Sequence, residues 1–170
     1  GENFQTGFAV GTYGRILKTL DAGKTWKSID AKTSQHLSRV AFFDETKGVV
    51  VGADGSILAT KDGGETWESN SPCAEFLMTD AKFLSAEKIV AVGQGGCVVR
   101  SENGGETWTP VDMFTLADFL SIDFANENDG WLTDANGMVW LTGDGGNTWL
   151  PFNIRTRPKL VSLQFADAFT

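Results

Sequence analysis

The sequence predicts an all-β fold: a β-propeller of four-stranded antiparallel blades in which residues 1–170 form a single domain. Two observations predict it. An eight-residue motif occurs four times without insertion, and its final residues, Trp26, Trp67, Trp108 and Trp149, stand 41 positions apart. Between the motifs, short apolar runs and Gly-containing turns follow one another roughly every 8–12 residues, with no helical periodicity. A repeat of about forty residues with four strand signals is typical of one propeller blade.

The second repeat shows the strand pattern most clearly. The alternating run 37–42 predicts a first strand, Val49–Val51 a second, Ile57–Thr60 a third, and Thr66–Glu68 a fourth that leaves the motif. The other repeats align with it without gaps, and an apolar position at the end of the first strand is filled by Phe42, Phe83, Phe124 and Phe165. The predicted blades are 4–31, 36–70, 77–111 and 118–152.

The two ends of the sequence predict a shared blade. Residues 4–31 begin with a second strand, whereas residues 160–165 form a first strand with no second strand after it. Pairing the two would complete blade 1 and close a four-bladed ring, which removes exposed sheet edges. Two alternatives stay open: a part of a larger propeller, and a homodimer of two half-propellers.

The repeated motif is expected to have a structural role. Its acidic or amide position, filled by Asp21, Asp62, Asn103 and Asp144, can accept hydrogen bonds from backbone N–H groups of a tight turn. The glycines supply positive φ angles, and the tryptophan that closes each motif can pack back on the sheet.

Composition excludes several classes of function. There are 14 Lys and Arg residues against 22 Asp and Glu, a net charge of −8, so no nucleic-acid partner is expected. No apolar run approaches the ~20 residues of a membrane span, and no targeting segment is present in this chain. Cys73 and Cys97, with the single His36, make no metal-ligand pattern, so neither a metal nor another cofactor is expected. The two cysteines are either buried thiols or a disulfide.

Charged residues are predicted in the central channel, which first strands line. Arg39 and Asp80 occupy the same position in neighbouring repeats, and Lys82 and Asp123 share another. Opposite charges on neighbouring blades are expected to satisfy one another, because partly buried charges need partners. The alternative is a polar ligand or ion in the channel mouth.

Residues that differ between repeats on one face of the propeller are the candidate binding residues. The turns between second and third strands and the connections between blades share this face. Arg155 and Arg157 belong to its one basic cluster, which with Phe76 or Phe114 could hold an acidic partner. The full candidate set is Tyr13, Arg15, Asp54, Gln94, Asp134, Asn136, Arg155 and Arg157.

The motif, as in Thr60-Lys-Asp-Gly-Gly-Glu-Thr-Trp67, resembles the Asp-box, or BNR repeat, of sialidase-type propellers. The longer phrase from Gly48 to Trp67 resembles the photosystem II stability/assembly factor family, and the resemblance covers essentially the whole chain. It implies a β-propeller, an extracytoplasmic location (periplasmic, lumenal or secreted) and a non-enzymatic role as an assembly factor or interaction platform.

We therefore expect a protein-binding module rather than an enzyme. The alternative is a carbohydrate-binding or sialidase-like glycoside hydrolase propeller, with a glycan as its ligand. A sialidase needs three arginines and a tyrosine with a glutamate; Tyr13 is the single tyrosine, and of the five arginines Arg15 and Arg39 could share a face with it, but no glutamate is adjacent to Tyr13 in the sequence. A two-carboxylate glycosidase would draw its carboxylates from Asp54, Asp80, Asp123 and Asp134.

Overall fold

The computed structural model describes residues 5–152, 154 and 160–165. All regular structure in this part of the chain is β-strand. The strands are β1 Gly7–Val10, β2 Arg15–Thr19, β3 Lys27–Asp30, β4 Leu37–Phe42, β5 Gly48–Gly52, β6 Ile57–Thr60, β7 Glu68–Asn70, β8 Met78–Phe83, β9 Ile89–Gly93, β10 Val98–Ser101, β11 Thr109–Pro110, β12 Phe119–Phe124, β13 Gly130–Asp134, β14 Val139–Thr142 and β15 Leu150–Phe152.

These strands form four antiparallel sheets in chain order, which confirms the predicted all-β propeller architecture. The first sheet has three strands, β1 to β3, and the other three have four each: β4 to β7, β8 to β11 and β12 to β15. Each sheet is one blade, numbered 1 to 4 along the chain. Among the described residues there is no helix that is long and apolar enough to cross a membrane.

The first strands lie next to one another in neighbouring blades, held by hydroxyl groups at β-bulges. The pairing of β4 with β5 shifts register between Leu37 and Arg39, and β8 and β12 show the same irregularity at their starts. At the bulge of β4, the Ser38 hydroxyl lies 3.0 Å from the Val51 carbonyl oxygen of its own blade and 2.8 Å from that of Met78 on the next blade. Thr79 repeats this arrangement between blades 3 and 4.

The core lies between neighbouring blades rather than in one central mass. Between blades 1 and 2 it contains Ile16, Val50, Leu58 and Trp67. The Trp67 ring is 3% exposed and meets Phe42 of its own blade and Phe8 of the preceding blade edge-on. Burial of each such side chain contributes roughly 1.5–3 kcal/mol, so packing between blades contributes substantially to stability.

Antiparallel strands place the connecting segments at two opposite faces. The loop face comprises the turns 11–14, 52–55, 93–96 and 134–137 with the connections 31–36, 71–77 and 111–118. The motif face comprises the four repeated motifs, each between a third and a fourth strand, and the turns between first and second strands.

Residues 160–165 contact blade 4 in the position of a following first strand. The Leu163 amide lies 3.3 Å from the Ser121 hydroxyl oxygen, and the Phe165 amide 2.7 Å from the Asp123 carboxylate. The structure assigns no strand to this segment, and in the described part of the chain β1 pairs only with β2. Closure of a four-bladed ring through residues 160–165 therefore stays a prediction.

Candidate functional site

The first strands carry a buried carboxylate with four partners, at a position that the sequence predicts to line the channel. Asp80 is 5% exposed, and its Oδ1 lies 3.0 Å from the Arg39 Nε of the preceding blade. On the following blade, the Ser121 hydroxyl and the Ile122 amide donate to Oδ2 at 3.0 and 3.2 Å. The Ala81 amide, on the same strand as Asp80, donates to Oδ1 at 3.0 Å. One side chain therefore links three successive blades.

A second ion pair repeats the pattern one blade later. The Lys82 ammonium lies 2.7 Å from Asp123 Oδ1, and the carboxylate side chain is 6% exposed while the lysine side chain is 41% exposed. In both pairs the carboxylate is buried between blades and the side chain of the cation is about half exposed. The arrangement fits a lining that satisfies its own charges; a ligand in the channel mouth stays a hypothesis.

Each repeated motif is a turn that the side chain of its Asp or Asn residue stabilises by accepting hydrogen bonds. In the second motif the Thr66 amide and hydroxyl donate to the two carboxylate oxygens of Asp62, at 2.9 and 2.6 Å. The Gly64 amide donates to the Thr60 hydroxyl at 2.9 Å, and the Trp67 ring N–H donates to the Gly64 carbonyl at 3.2 Å. The motif thus fixes the tryptophan that fills the space between blades.

The third motif shows how asparagine replaces aspartate in this turn. Asn103 Oδ1 accepts from the Thr107 amide at 2.9 Å, as the aspartates do. Its Nδ2 instead donates to the Thr107 hydroxyl at 2.9 Å, which reverses the direction of that hydrogen bond. The geometry of the turn is kept without a charge.

Hydrogen bonds hold the motif carboxylates ionised. Burial raises the pKa of Asp62, but the hydroxyl and amide of Thr66 and the hydroxyl of Thr60 outweigh it and lower the pKa from 3.8 to about 2. The pKa of Asp21 is lowered to about 2, mainly by the Thr25 hydroxyl. The pKa of Asp144 is lowered as well, because its hydrogen bonds outweigh the effect of burial.

Tyr13 stands out on the loop face. It is 86% exposed and has a φ of 57°, in the left-handed region that a bulky side chain rarely adopts. Asp54 and Gly95 occupy the equivalent turn position with φ angles of 53° and 64°, and residues of these two types tolerate that region. Strained backbone positions cluster at functional sites, so the exposed ring of Tyr13 stays a candidate for binding.

The structure distributes the other candidate binding residues unequally. Arg15, Asp54 and Asn136 are exposed on the loop face and Gln94 is half-buried. Asp134 is 1% exposed, which corrects its assignment to the accessible surface. Its carboxylate accepts from the amides of Asn136 and Met138 and from the Trp140 ring N–H, so it holds the turn together. Arg155 and Arg157 lie outside the described residues.

Cys73 and Cys97 form a disulfide, which resolves the alternative that the sequence left open. Their Cα atoms are 6.3 Å apart, and the bridge ties connection 71–77 to the turn before β10. The bridge fixes part of the loop face. In the described part of the chain no cluster of His, Cys, Asp and Glu could hold a metal ion.

Two groups of residues at the site were not predicted from the sequence. The bulge hydroxyls of Ser38 and Thr79 were not singled out, although two successive hydroxyl residues at one repeat position could have indicated them. Leu116 was also missed, because nothing in the sequence separates an apolar residue that points outward from one that fills the core. It is 84% exposed, two positions after Phe114, which is 92% exposed.

The blades, the Asp-box turns and the interblade cores together define this chain as an Asp-box β-propeller. The family model of the photosynthesis system II assembly factor YCF48 matches residues 24–116, more than half of the sequence. The chain belongs to this family. No curated protein sequence matches it.

Solved YCF48 structures share the fold. YCF48 from Cyanidioschyzon merolae has a TM-score of 0.68 at 16% identity, covering 91% of this chain and 57% of that chain. A structure of YCF48 bound to D1 peptide has a TM-score of 0.72 at 20% identity, covering 94% of this chain and 53% of that one. This chain therefore spans little more than half the length of these YCF48 proteins.

Glycoside hydrolase propellers are also similar. The GH74 enzyme of Niastella koreensis has a TM-score of 0.67 at 18% identity, covering 88% of this chain and 28% of that chain. At such identities the likeness to either group of structures shows the fold alone, since one fold hosts many functions.

Proposed function

We propose that this chain is a protein-binding module that takes part in the assembly or stabilisation of a larger complex. The observation that carries the proposal is the match of residues 24–116 to an assembly-factor family. A family member has been solved with a D1 peptide bound. We therefore expect this chain to bind an extended segment of a client protein.

We place the binding surface on the loop face, with Tyr13 and Arg15 at its centre. Aromatic and arginine side chains dominate the energetics of protein interfaces. The strained backbone of Tyr13 costs stability, and no contact within the described chain requires an aromatic ring at a site that is 86% exposed. Gln94, Asn136 and the basic residues Arg155 and Arg157 complete the proposed surface.

A non-enzymatic role is supported by the state of the carboxylates. Glycoside hydrolysis needs two carboxyl groups that can reach the scissile bond. Asp80 and Asp123 are buried in interblade ion pairs, and Asp134 is buried within its turn. Of the four carboxylates considered, only Asp54 is exposed.

An extracytoplasmic location is supported by the Cys73–Cys97 disulfide. Disulfides form and persist in oxidising compartments and are rare in reducing ones.

Site-specific photo-crosslinking tests the proposal. A benzophenone amino acid is placed at Tyr13 on the loop face or, as a control, at Leu20 on the motif face, which is 62% exposed. The probe is a fluorescent D1 peptide. We expect a crosslink from position 13 and none from position 20. Equal crosslinking at both positions, or binding without any crosslink at position 13, would contradict the proposed surface.

A glycan-binding or glycan-cleaving propeller is the second candidate. Its support is the structural likeness to GH74 enzymes together with the exposed pair Tyr13 and Arg15. Turnover of fluorogenic sialosides or β-glucans by the purified chain would favour it over protein binding.

A further inference from the structure

The loop face is divided by charge. The segments 11–15 and 31–36, on the side of blade 1, contain Arg15, Lys32 and His36 and no acidic residue. The segments 52–56, 71–77, 93–97 and 111–118, on the side of blades 2 to 4, contain Asp54, Glu75, Asp112 and Asp118 and no basic residue. In the described part of the chain none of these four acids forms an ion pair. We call the second group of segments the acidic half.

The acidic half also holds three exposed apolar side chains. Phe114 is 92% exposed, Leu116 is 84% exposed and Phe76 is 40% exposed. Phe76 and Leu116 flank the same turn: a Cβ atom at Gly95 would meet the Phe76 ring at 2.3 Å, and one at Gly96 would meet the backbone of Thr115 and Leu116. Apolar side chains grouped in this way mark interaction sites more often than isolated ones do.

The backbone that presents Phe114 and Leu116 is fixed. Met113 is buried beneath the connection, and the Ala117 carbonyl accepts a hydrogen bond from the Gly96 amide at 2.8 Å. The Phe114 amide donates to Asp112 at 2.9 Å, and Phe114 has a φ of 50°, which is strained for an aromatic residue. The chain thus exposes an aromatic residue at a position where the backbone conformation favours Gly or Asn.

Phe76 is fixed by the disulfide. Its amide lies 3.2 Å from the Cys73 carbonyl oxygen, and its carbonyl accepts from the Gly55 amide at 2.6 Å. Because Cys73 is bonded to Cys97, the segment that carries Phe76 cannot move away from the turn 93–96. A surface arranged before binding loses less entropy when a partner docks.

We propose that the acidic half of the loop face binds a protein segment in which an aromatic or aliphatic side chain is flanked by lysine or arginine. The apolar residue would pack on Phe114 and Leu116, and its basic neighbours would meet Asp54 and Glu75. Complementary charge selects this partner over an acidic peptide and over an anionic membrane surface. The inference rests on the proposed function as a protein-binding module and adds a second contact surface, which adjoins the first at Gln94.

Selection from a phage-displayed library of random 12-residue peptides tests the chemistry of the partner. The full chain is immobilised and the bound peptides are sequenced. We expect enrichment of sequences that combine Lys or Arg with Phe, Trp, Leu or Met. Enrichment of acidic or wholly polar peptides, or no enrichment, would overturn the proposal.

Variants then locate the surface. With one selected peptide, Phe114→Ser is expected to raise the Kd roughly tenfold or more, whereas Leu20→Ser on the motif face leaves it unchanged. Asp54→Asn with Glu75→Gln is expected to weaken binding and to reduce its salt dependence, and Asn tolerates the left-handed backbone of residue 54. Thermal unfolding of each variant shows that the fold is intact.

Three results would overturn this inference. One is a peptide affinity that Phe114→Ser leaves unchanged. Another is a peptide affinity that is lost in Tyr13→Ser, which would mean that the peptide binds to segments 11–15 and 31–36 instead. The third is a dimer in light scattering that Phe114→Ser dissociates, because a second copy would then occupy the surface. None of them changes the expected D1-peptide crosslink at position 13, so the proposed function is judged separately.

Discussion

Asp80 is expected to stabilise the propeller far more than the arginine with which it pairs. Its buried carboxylate accepts hydrogen bonds from the Ser121 hydroxyl, the Ile122 amide and the Ala81 amide. Arg39 approaches from the preceding blade, and its side chain is 53% exposed. Asp80→Ala therefore leaves buried donors without an acceptor. Arg39→Ala leaves a carboxylate that keeps its other three donors.

The sizes of the two effects follow from burial. A buried donor without a partner costs about 1–3 kcal/mol, and removing one member of a buried pair costs about 3–5 kcal/mol. We expect Asp80→Ala to lower the free energy of unfolding by about 4 kcal/mol. Arg39→Ala should lower it by about 1 kcal/mol or less, because water can reach the vacated side. For a chain of this size, Asp80→Ala should lower the Tm by roughly 8–16 °C, and Arg39→Ala should lower it by at most about 4 °C.

Urea unfolding followed by the fluorescence of the six tryptophans measures both losses. Glu45→Ala, at an exposed turn position, is the control and should stay within about 0.5 kcal/mol of the parent chain. Equal losses for Asp80→Ala and Arg39→Ala would refute the reasoning, since the ion pair would then outweigh the hydrogen bonds. A loss below about 1 kcal/mol for Asp80→Ala would refute it as well.

Three further predictions concern the motif, the disulfide and Tyr13. The pKa of Asp62 falls from 3.8 to about 2 on folding, so its contribution to stability is complete above about pH 4 and is lost as the pH falls towards 2. In urea titrations, Asp62→Asn should therefore lose less stability than the parent chain as the pH falls from about 4 to 2. An equal loss in the two chains would contradict the lowered pKa of Asp62. Reduction of Cys73–Cys97, verified by intact mass after alkylation, should lower the unfolding free energy by about 3 kcal/mol for a separation of 24 residues; an unchanged Tm would show that the bridge does not constrain the unfolded chain. Tyr13→Asn relieves a left-handed tyrosine and should raise stability by about 1 kcal/mol while weakening peptide binding, whereas a lower Tm would mean that the ring supports the fold.

The repeated features of the fold could be predicted from the sequence because they depend on local chemistry. The Asp62 turn needs only residues four or five positions apart, and strand patterns are set by neighbouring side chains. The site was less predictable. Whether Asp134 faces solvent or its own turn depends on Trp140, whose ring N–H reaches its carboxylate at 3.1 Å. The outward position of Leu116 depends on how connection 111–118 crosses the turn 93–96, and no local pattern encodes that crossing.

The number of blades is the feature that local sequence patterns predict least. Phe165 contacts Trp131 with ring centroids 4.4 Å apart, and the equivalent pair 123 residues earlier, Phe42 and Phe8, has centroids 4.3 Å apart. Each blade thus specifies how the next one docks, but contacts between neighbours are the same in a closed ring and in a longer array. Trp26 is 45% exposed, whereas its equivalent Trp67 is 3% exposed because blade 1 covers it. Among the described residues no blade covers Trp26, and whether a blade packs there depends on long-range geometry that the repeat itself does not contain.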